Sequence, residues 1–471
     1  MKKIMIVIFS LLLALTGCQE NKMPLDNDTI VWKLLYDINT HPINKDSFVE
    51  TNLMTKLDLQ TYQKPNDYNK DAIKEVSCEK LFNALTEFKV CQLGDGLLVL
   101  TVSQGKKISL IKLDMSGKVI WENNIDVLGS STTEITLLDN GNIVFGISDW
   151  PNTSLGSPSM QDGHILCYNQ NGQQQWKYSY EDSIGCRIKY IFQDKSGDLL
   201  CTGLANTKDL SNVETDVIIT KLSTNGEFIA EASFGGKDNE YLEGSAYSKS
   251  TGLIITGWTL SDDGEFASGD KDKYTDYVAS IDESLKLNWV YKPKKPISYL
   301  YSQIQVQNGL IAITGFKSTK DEYGTIPDNE NTYYFHILDS NGSLVHETEA
   351  NGNSNFIGCA VCITNEQRIF LAYNTSKGTK IVVKNLEGKT ISESVCKVTY
   401  PEEMIPTNDG GFIIKFNYPV EYLPQPAYIS SIWMDTATTL SCYDKNGKLM
   451  WQKTYDDYPN HVIKDYLYVA H

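Results

Sequence analysis

The sequence predicts an all-β fold of about seven four-stranded blades set around a common axis. Three observations carry this. A unit of two hairpins recurs along the chain, two separate turn markers give it nearly the same period, and its last strand repeatedly carries a tryptophan. The composition agrees. Of 471 residues, 41% are apolar and 21% charged, the balance of a globular chain. Tyr (27) and Gly (33) are plentiful and Pro is modest (14), which favours strands and turns.

The first hairpin of the unit is an apolar strand, a tight turn and a second strand. Examples are EITLLDNGNIVFGIS (134–148) and GSAYSKSTGLIITG (244–257). The second hairpin follows a connection of variable length, as in HILCYNQNGQQQWKYSY (164–180) and TLSCYDKNGKLMWQKTY (439–455). Asn-Gly, Asp-Gly and Ser-Gly pairs supply the positive φ that two-residue hairpins need. The first turn falls at Gly96, Gly141, Gly197, Gly252, Gly309, Gln367 and Gly410, a spacing of about 52 residues. The second falls at Gly117, Gly172, Gly226, Leu285, Gly342, Gly388 and Gly447, a spacing of about 55. Four antiparallel strands at this period point to a β-propeller, whose blades bury their faces by stacking. Trp121, Trp176, Trp289 and Trp451 then read as blade-to-blade packing on the fourth strands.

Residues 235–292 resemble the repeats of secreted bacterial propeller proteins, in Gly235, Gly236, Asp238, Gly257, Thr259, Ser261, Asp263, Gly264, Asp276, Asp282 and Trp289. Leu285 departs from that pattern where Gly is expected, and the similarity thins to a weak one over the rest of 84–457. The resemblance implies the fold and export, and no particular activity. At the ends, 30–38 read as a fourth strand and 461–470 as a first strand. They close a ring of seven blades, or form an eighth. Residues 39–83 read as an irregular insertion.

The N-terminus is an address. Lys2 and Lys3 precede a 12-residue apolar run, Ile4 to Leu15, which is too short to span a bilayer. It ends in Leu15-Thr16-Gly17-Cys18, which resembles the lipobox of bacterial lipoproteins. That family implies cleavage before Cys18 and acylation of its thiol, palmitate among the acyl groups. The expected organisation is a signal peptide at 1–17, lipidated Cys18 with a tether to 29, the N-terminal strand and insertion at 30–83, and the propeller at 84–471. Glu20 resembles the surface-export signals of Bacteroidota lipoproteins. The expected address is the cell envelope, at the outer membrane, with the periplasmic or surface side left open.

The formal net charge is −17, so an acidic surface excludes nucleic acid as a partner. Nine cysteines follow Cys18, at recurring strand positions that suit small core fillers. Cys359 and Cys362 form a C-x-x-C, but on a strand their side chains point to opposite faces.

Function concentrates where loops are long. The second-to-third connection emerges on one face of every blade. Measured between the two turn markers, it is about 21 residues in blades one and six and 29 to 37 in the other five. These loops carry Trp150, Tyr323, Tyr422, Tyr428 and Trp433, aromatics that suit sugar stacking or a protein partner's anchors. Asp262, Asp263, Asp270, Asp272 and Asp276 form an acidic cluster that could take calcium, although the spacing is not that of an EF-hand. No other cofactor is implied. No catalytic motif stands out, and the six His are scattered. The expected function is therefore an exported lipoprotein, anchored to the membrane by its lipid, whose propeller binds a glycan or an envelope protein. One alternative is a carbohydrate-active enzyme, a glycosidase or lyase with carboxylates in the central channel. The first strands, read as mostly apolar or small, argue against it. The other is a structural subunit of an envelope complex.

Overall fold

The computed structural model of the chain describes residues 32–36, 76–82, 462–463 and most of 85–455. The longest stretches outside the described residues within that span are 149–162, 207–213, 268–274, 319–329 and 420–435. All described secondary structure is strand and turn.

Seven consecutive sheets share one plan, with strands one to four hydrogen-bonded in chain order. Blade one runs from Leu85–Leu93 to Val119–Leu128. Blade two begins with a strand broken into Ser131–Thr132 and Thr136–Leu137 and ends at Gln174–Ser179. Blade three runs from Cys186–Gln193 to Phe228–Phe234, and blade four from Glu240–Ser248 to Leu287–Tyr291. Blade five runs from Tyr299–Gln307 to Leu344–Asn353. Blade six spans Cys359–Ile363 to Thr390–Cys396, and blade seven Pro401–Pro406 to Leu449–Tyr455. First strands neighbour first strands around the axis, so they are the innermost layer. The chain is a β-propeller.

Both ends of the described chain meet in one further sheet of three strands. Trp32–Tyr36 lies between Val76–Phe82, to which it is parallel, and Val462–Ile463, to which it is antiparallel. Val462–Ile463 adjoins the first strand of blade one and Val76–Phe82 adjoins its fourth. The sheet thus occupies a blade position before blade one. Trp32–Tyr36 is its middle strand, where the sequence suggested a fourth, and a strand stands at 76–82 within the stretch read as irregular.

The turn glycines act through a longer turn than expected. In most blades the turn is a type I turn closed by a residue in the left-handed region, which forms a bulge. In blade two, Gly172 N–H donates to Asn169 O (2.9 Å) and Asn169 N–H to Gln173 O (3.0 Å). The Asn169 carboxamide oxygen also accepts from the Asn171 and Gln173 amides. The two-residue hairpin is found at the first turn of blade five, where Asn308 and Gly309 have φ of 52° and 76°. The turn markers without glycine keep the same backbone: φ is 63° at Leu285 and 58° at Gln367.

The blades are bound face to face by apolar clusters. Leu100 and Leu110 of blade one meet Phe145 and Leu166 of blade two, and Phe370 and Ile381 of blade six meet Phe412 and Ile414 of blade seven. The cysteines belong to this packing. Cys359 lies in the cluster between blades five and six, and Cys362 in the one between six and seven, as opposite faces of a strand require. None of the eight cysteines whose side chains are described forms a disulfide. Burial pushes Cys167 and Cys359 up to about 12.

A second contact recurs at the rim. Trp121, Trp176 and Trp289 each donate the indole N–H to a turn carbonyl of the next blade, at Gln170 (3.2 Å), Thr224 (2.9 Å) and Ser340 (3.0 Å). The turn glycine two residues on lies flat against the ring. A Cβ on Gly226 would come within 2.5 Å of Trp176, and one on Gly342 within 2.5 Å of Trp289. His346 takes the same place against Gly388. The exception explains Leu285. The equivalent of the tryptophan in blade three is Ala230, and Leu285 stands in the facing turn of blade four. Leu285 is 5% exposed in the cluster that Ala230 packs against. A large residue on the turn replaces the large residue on the strand.

The two exchanges should therefore be coupled. Ala230→Trp alone overpacks the site and should cost about 1–3 kcal/mol. Combined with Leu285→Gly it rebuilds the tryptophan–glycine pair, and urea unfolding of the four proteins should show about 0.5–3 kcal/mol of favourable coupling. Additive losses would mean that the two positions do not share one space.

Candidate functional site

The loop-bearing face and the central channel are the two places where this fold gathers polar side chains. The channel is built by a repeated irregularity. The first strands of blades three, four and seven each bulge at one residue, Lys189, Glu243 and Glu402, and the register also slips in the first strands of blades one and five. A bulge re-aims a side chain and presses the local backbone on its neighbour. The second strand answers with glycine. A Cβ on Gly203 would stand 2.2 Å from Arg187 O, and one on Gly257 would stand 1.8 Å from Tyr241 O.

The first strands consequently carry charge, contrary to their reading as mostly apolar or small. Lys89 of blade one pairs with Glu134 of blade two at 2.7 Å. Glu402 of blade seven pairs with Lys415 at 3.3 Å. Glu403 beside it is half-buried, and its electrostatic neighbours include Lys89 of blade one and Glu134 of blade two. Burial, with Glu402 and Glu134 adding, pushes Glu403 up against the pull of Lys415 and Lys89.

Blades three and four hold the densest group. Tyr241 stacks on Trp258 with ring centres 3.5 Å apart. The Trp258 indole donates to Glu243 Oε1 (3.1 Å), and Tyr190 donates its hydroxyl to Glu243 O (2.7 Å). Lys189 Nζ donates to Leu242 O. Burial pushes the Lys189 ammonium down, Arg187 adds to that, and Glu243 opposes it. These side chains are half-buried, so they border the channel rather than fill a core.

At the loop face, the start of the blade-four connection folds back on the link from blade three. Lys237 N–H donates to Asp263 Oδ1 (2.9 Å), Asp238 N–H to Ser261 Oγ (3.0 Å) and Gly235 N–H to Glu265 Oε2 (3.2 Å). Lys237 Nζ also pairs with Asp263 Oδ2 at 2.8 Å. Phe266 stacks on Tyr277 with centres 3.9 Å apart. Beneath lies Glu240, 1% exposed, accepting from Thr259 Oγ1 (2.8 Å) and Ser261 Oγ (2.6 Å). Burial pushes its carboxyl up to about 7 against the pull of those hydroxyls and the Gly236 amide, with Asp216 adding to the rise.

Between blades five and six the loop face has a cleft of about 610 Å³, lined by Asn351, Thr375, Lys377, Lys380, Glu393 and Ser394 among others. It lies beside a short second-to-third connection, the two-residue turn between Thr375 and Gly378. Lys380 and Glu393 pair across it at 2.9 Å.

Of the residues singled out from the sequence, Trp150, Tyr323, Tyr422, Tyr428 and Trp433 lie outside the described residues, as do Cys18, Asp270 and Asp272. Asp263 is engaged by Lys237, Asp262 lies beside that pair, and Asp276 is 4% exposed on the third strand of blade four. Among the described residues no three Asp, Glu, His or Cys side chains gather as a metal site. The channel residues were missed because their signal is indirect: a glycine on the second strand, facing a bulge on the first.

No protein family and no curated relative matches the sequence. Among solved structures the chain is similar to the Dos1 propeller, at 11% identity and a TM-score of 0.46, over 70% of this chain and 74% of that one. It is also similar to the WD40 domain of Neurospora crassa Pan2, at 12% identity and a TM-score of 0.39, over 70% and 85%. A third is Drosophila Plexin A in complex with Semaphorin 1b, at 10% identity and 0.38, over 69% and 82%. The likeness is one of architecture and says nothing finer.

The Glu243 cluster gives a stability test. Glu243→Ala leaves the Trp258 indole without its acceptor and Lys189 without its nearest counter-charge, and should cost about 1–3 kcal/mol. Glu243→Gln keeps an acceptor and should cost less than half as much. Equal losses in urea unfolding would mean that the charge, not the hydrogen bond, carries the effect.

Proposed function

We propose that this chain is an envelope lipoprotein, anchored through Cys18, whose propeller binds a glycan or protein partner on its loop-bearing face. The observation that carries the reading is one-sidedness. The five long connections, in blades two to five and seven, all join second strands to third strands, so they rise from the same face of the ring. Rigid strands with variable loops on one side suit recognition. The cleft between blades five and six opens on that face, and its hydroxyl, amide and charged lining suits a hydroxyl-rich or peptide ligand better than an apolar one. The lipid address keeps the same role. A tether from Cys18 would leave the propeller in the aqueous phase beside the membrane.

The test is a glycan-array screen of the soluble form beginning at Asn21, followed by capture from envelope extracts. Binding should weaken at least tenfold in Trp150→Ala or Trp433→Ala with the unfolding midpoint unchanged. Binding that survives both changes, or stability that falls in step with it, would assign the aromatics to bracing their own loops. Cys18→Ala should abolish incorporation of a palmitate analogue and release the protein from membranes. Retained labelling would remove the anchor.

A further inference from the structure

The buried carboxyl of Glu240 is a group that the binding role leaves unused. Its Oε1 accepts from Thr259 and Ser261 and the Gly236 amide also draws on the carboxyl, whereas Oε2 has no hydrogen-bond partner within normal geometry. That oxygen lies on the side of Asp216. A Cβ on Gly235 would stand 2.7 Å from Glu240 Oε2 and 2.0 Å from Asp216 Oδ1, so both oxygens crowd the same glycine. Two ionised carboxylates are acceptors only and repel at this range in a buried place. One proton on Glu240 Oε2 turns the repulsion into a donated hydrogen bond.

We propose that a proton on Glu240, donated toward Asp216, latches the start of the blade-four loop (260–267) onto the blade three–four link, and that its loss releases the loop. The geometry makes the coupling direct. Ser261 donates to Glu240 with its own hydroxyl while accepting from Asp238 N–H, so the carboxyl and the loop share one residue. Gly264 sits so close to Gly235 that a Cβ would come within 2.2 Å of its carbonyl. Loosening the carboxyl loosens that contact.

The charged groups around the latch favour a held proton. Asp216 faces Glu240 from blade three, Asp262, Asp263 and Glu265 come from the loop, Asp238 from the link, and Glu243 and Asp276 from blade four. The described cations at this loop are Lys237, which is paired with Asp263 at the surface, and Lys292, which donates to Ala267 O at the loop's far end. The carboxyl's ordinary 4.5 is raised to about 7 when the site is closed. A raised acid favours the closed state at low pH and loses that advantage as pH rises through the closed-state value. The latch is therefore strongest at acid pH, weakens as pH rises from the carboxyl's ordinary value, and has lost most of the proton's contribution above about pH 7.

The bearing of this on partner binding rests on the function proposed above; the latch itself does not. Hydrogen exchange of the peptides covering 235–238 and 259–267, corrected for intrinsic rates, reads it without any ligand. From pH 6 to pH 8.5 the opening equilibrium should rise about tenfold in the wild type. Glu240→Gln places a permanent donor toward Asp216 and should hold the loop equally at both pH values. Asp216→Asn removes the facing charge and should shift the transition to lower pH. Equal protection of the wild type at both pH values overturns the proposal, as does a Glu240→Gln protein that keeps the pH dependence. Should Glu240→Gln fail to fold, an unmoved transition in Asp216→Asn overturns it equally.

Discussion

Everything on the loop face depends on the contact that fixes one blade against the next at the rim. An indole on a fourth strand lies on a left-handed turn and donates its N–H to that turn's carbonyl. The contact is demanding on both sides. The turn needs a positive φ, and the ring needs a residue without Cβ beneath it. Once it is made, the rotation between blades is set, and so is the direction in which each long connection leaves. The pair of Ala230 and Leu285 shows that a large residue on the turn can stand in for the strand tryptophan, whereas between blades six and seven Ser392 meets Gly447 and its hydroxyl donates to Asn446 O. Leu285 accepts a left-handed backbone, at a cost of about 1–2 kcal/mol, and fills the room that tryptophan takes elsewhere.

The inner layer obeys a different constraint. First strands converge on the axis, and a regular strand there would point half its side chains into the neighbouring blades' backbones. The bulges relieve this by turning one residue toward the channel, and the facing glycines make room for the displaced carbonyl. The outcome is a channel bordered by paired opposite charges, Lys89 with Glu134 across blades one and two and Glu402 with Lys415 within blade seven. A wall whose charges satisfy one another is poised to hold shape more than to act as acid or base.

Blade four joins the two layers. Its first strand begins with Glu240 under the loop face and continues to Glu243 at the channel, and Tyr277 packs between them, donating to Tyr241 O at 2.9 Å. A change in the protonation of Glu240 is therefore felt on the side that meets a partner.

The repeat was legible because strand pairing and turn chemistry are local. Period, turn positions and the opposite faces of Cys359 and Cys362 all follow from neighbours a few residues apart. Even Leu285 and Gln367 were marked as turns by their place in the repeat, and both adopt the left-handed backbone. The sequence by itself determined blades, turns and the side on which long loops emerge. It did not determine the channel or the carboxyl pair, because those join side chains from different blades. Lys89 meets Glu134, and Asp216 meets Glu240, only when the rim contacts set the angle between sheets. A bulge also moves a side chain off the alternation that a sequence reading assumes, so Lys189 and Glu243 looked like ordinary strand residues until the ring was closed.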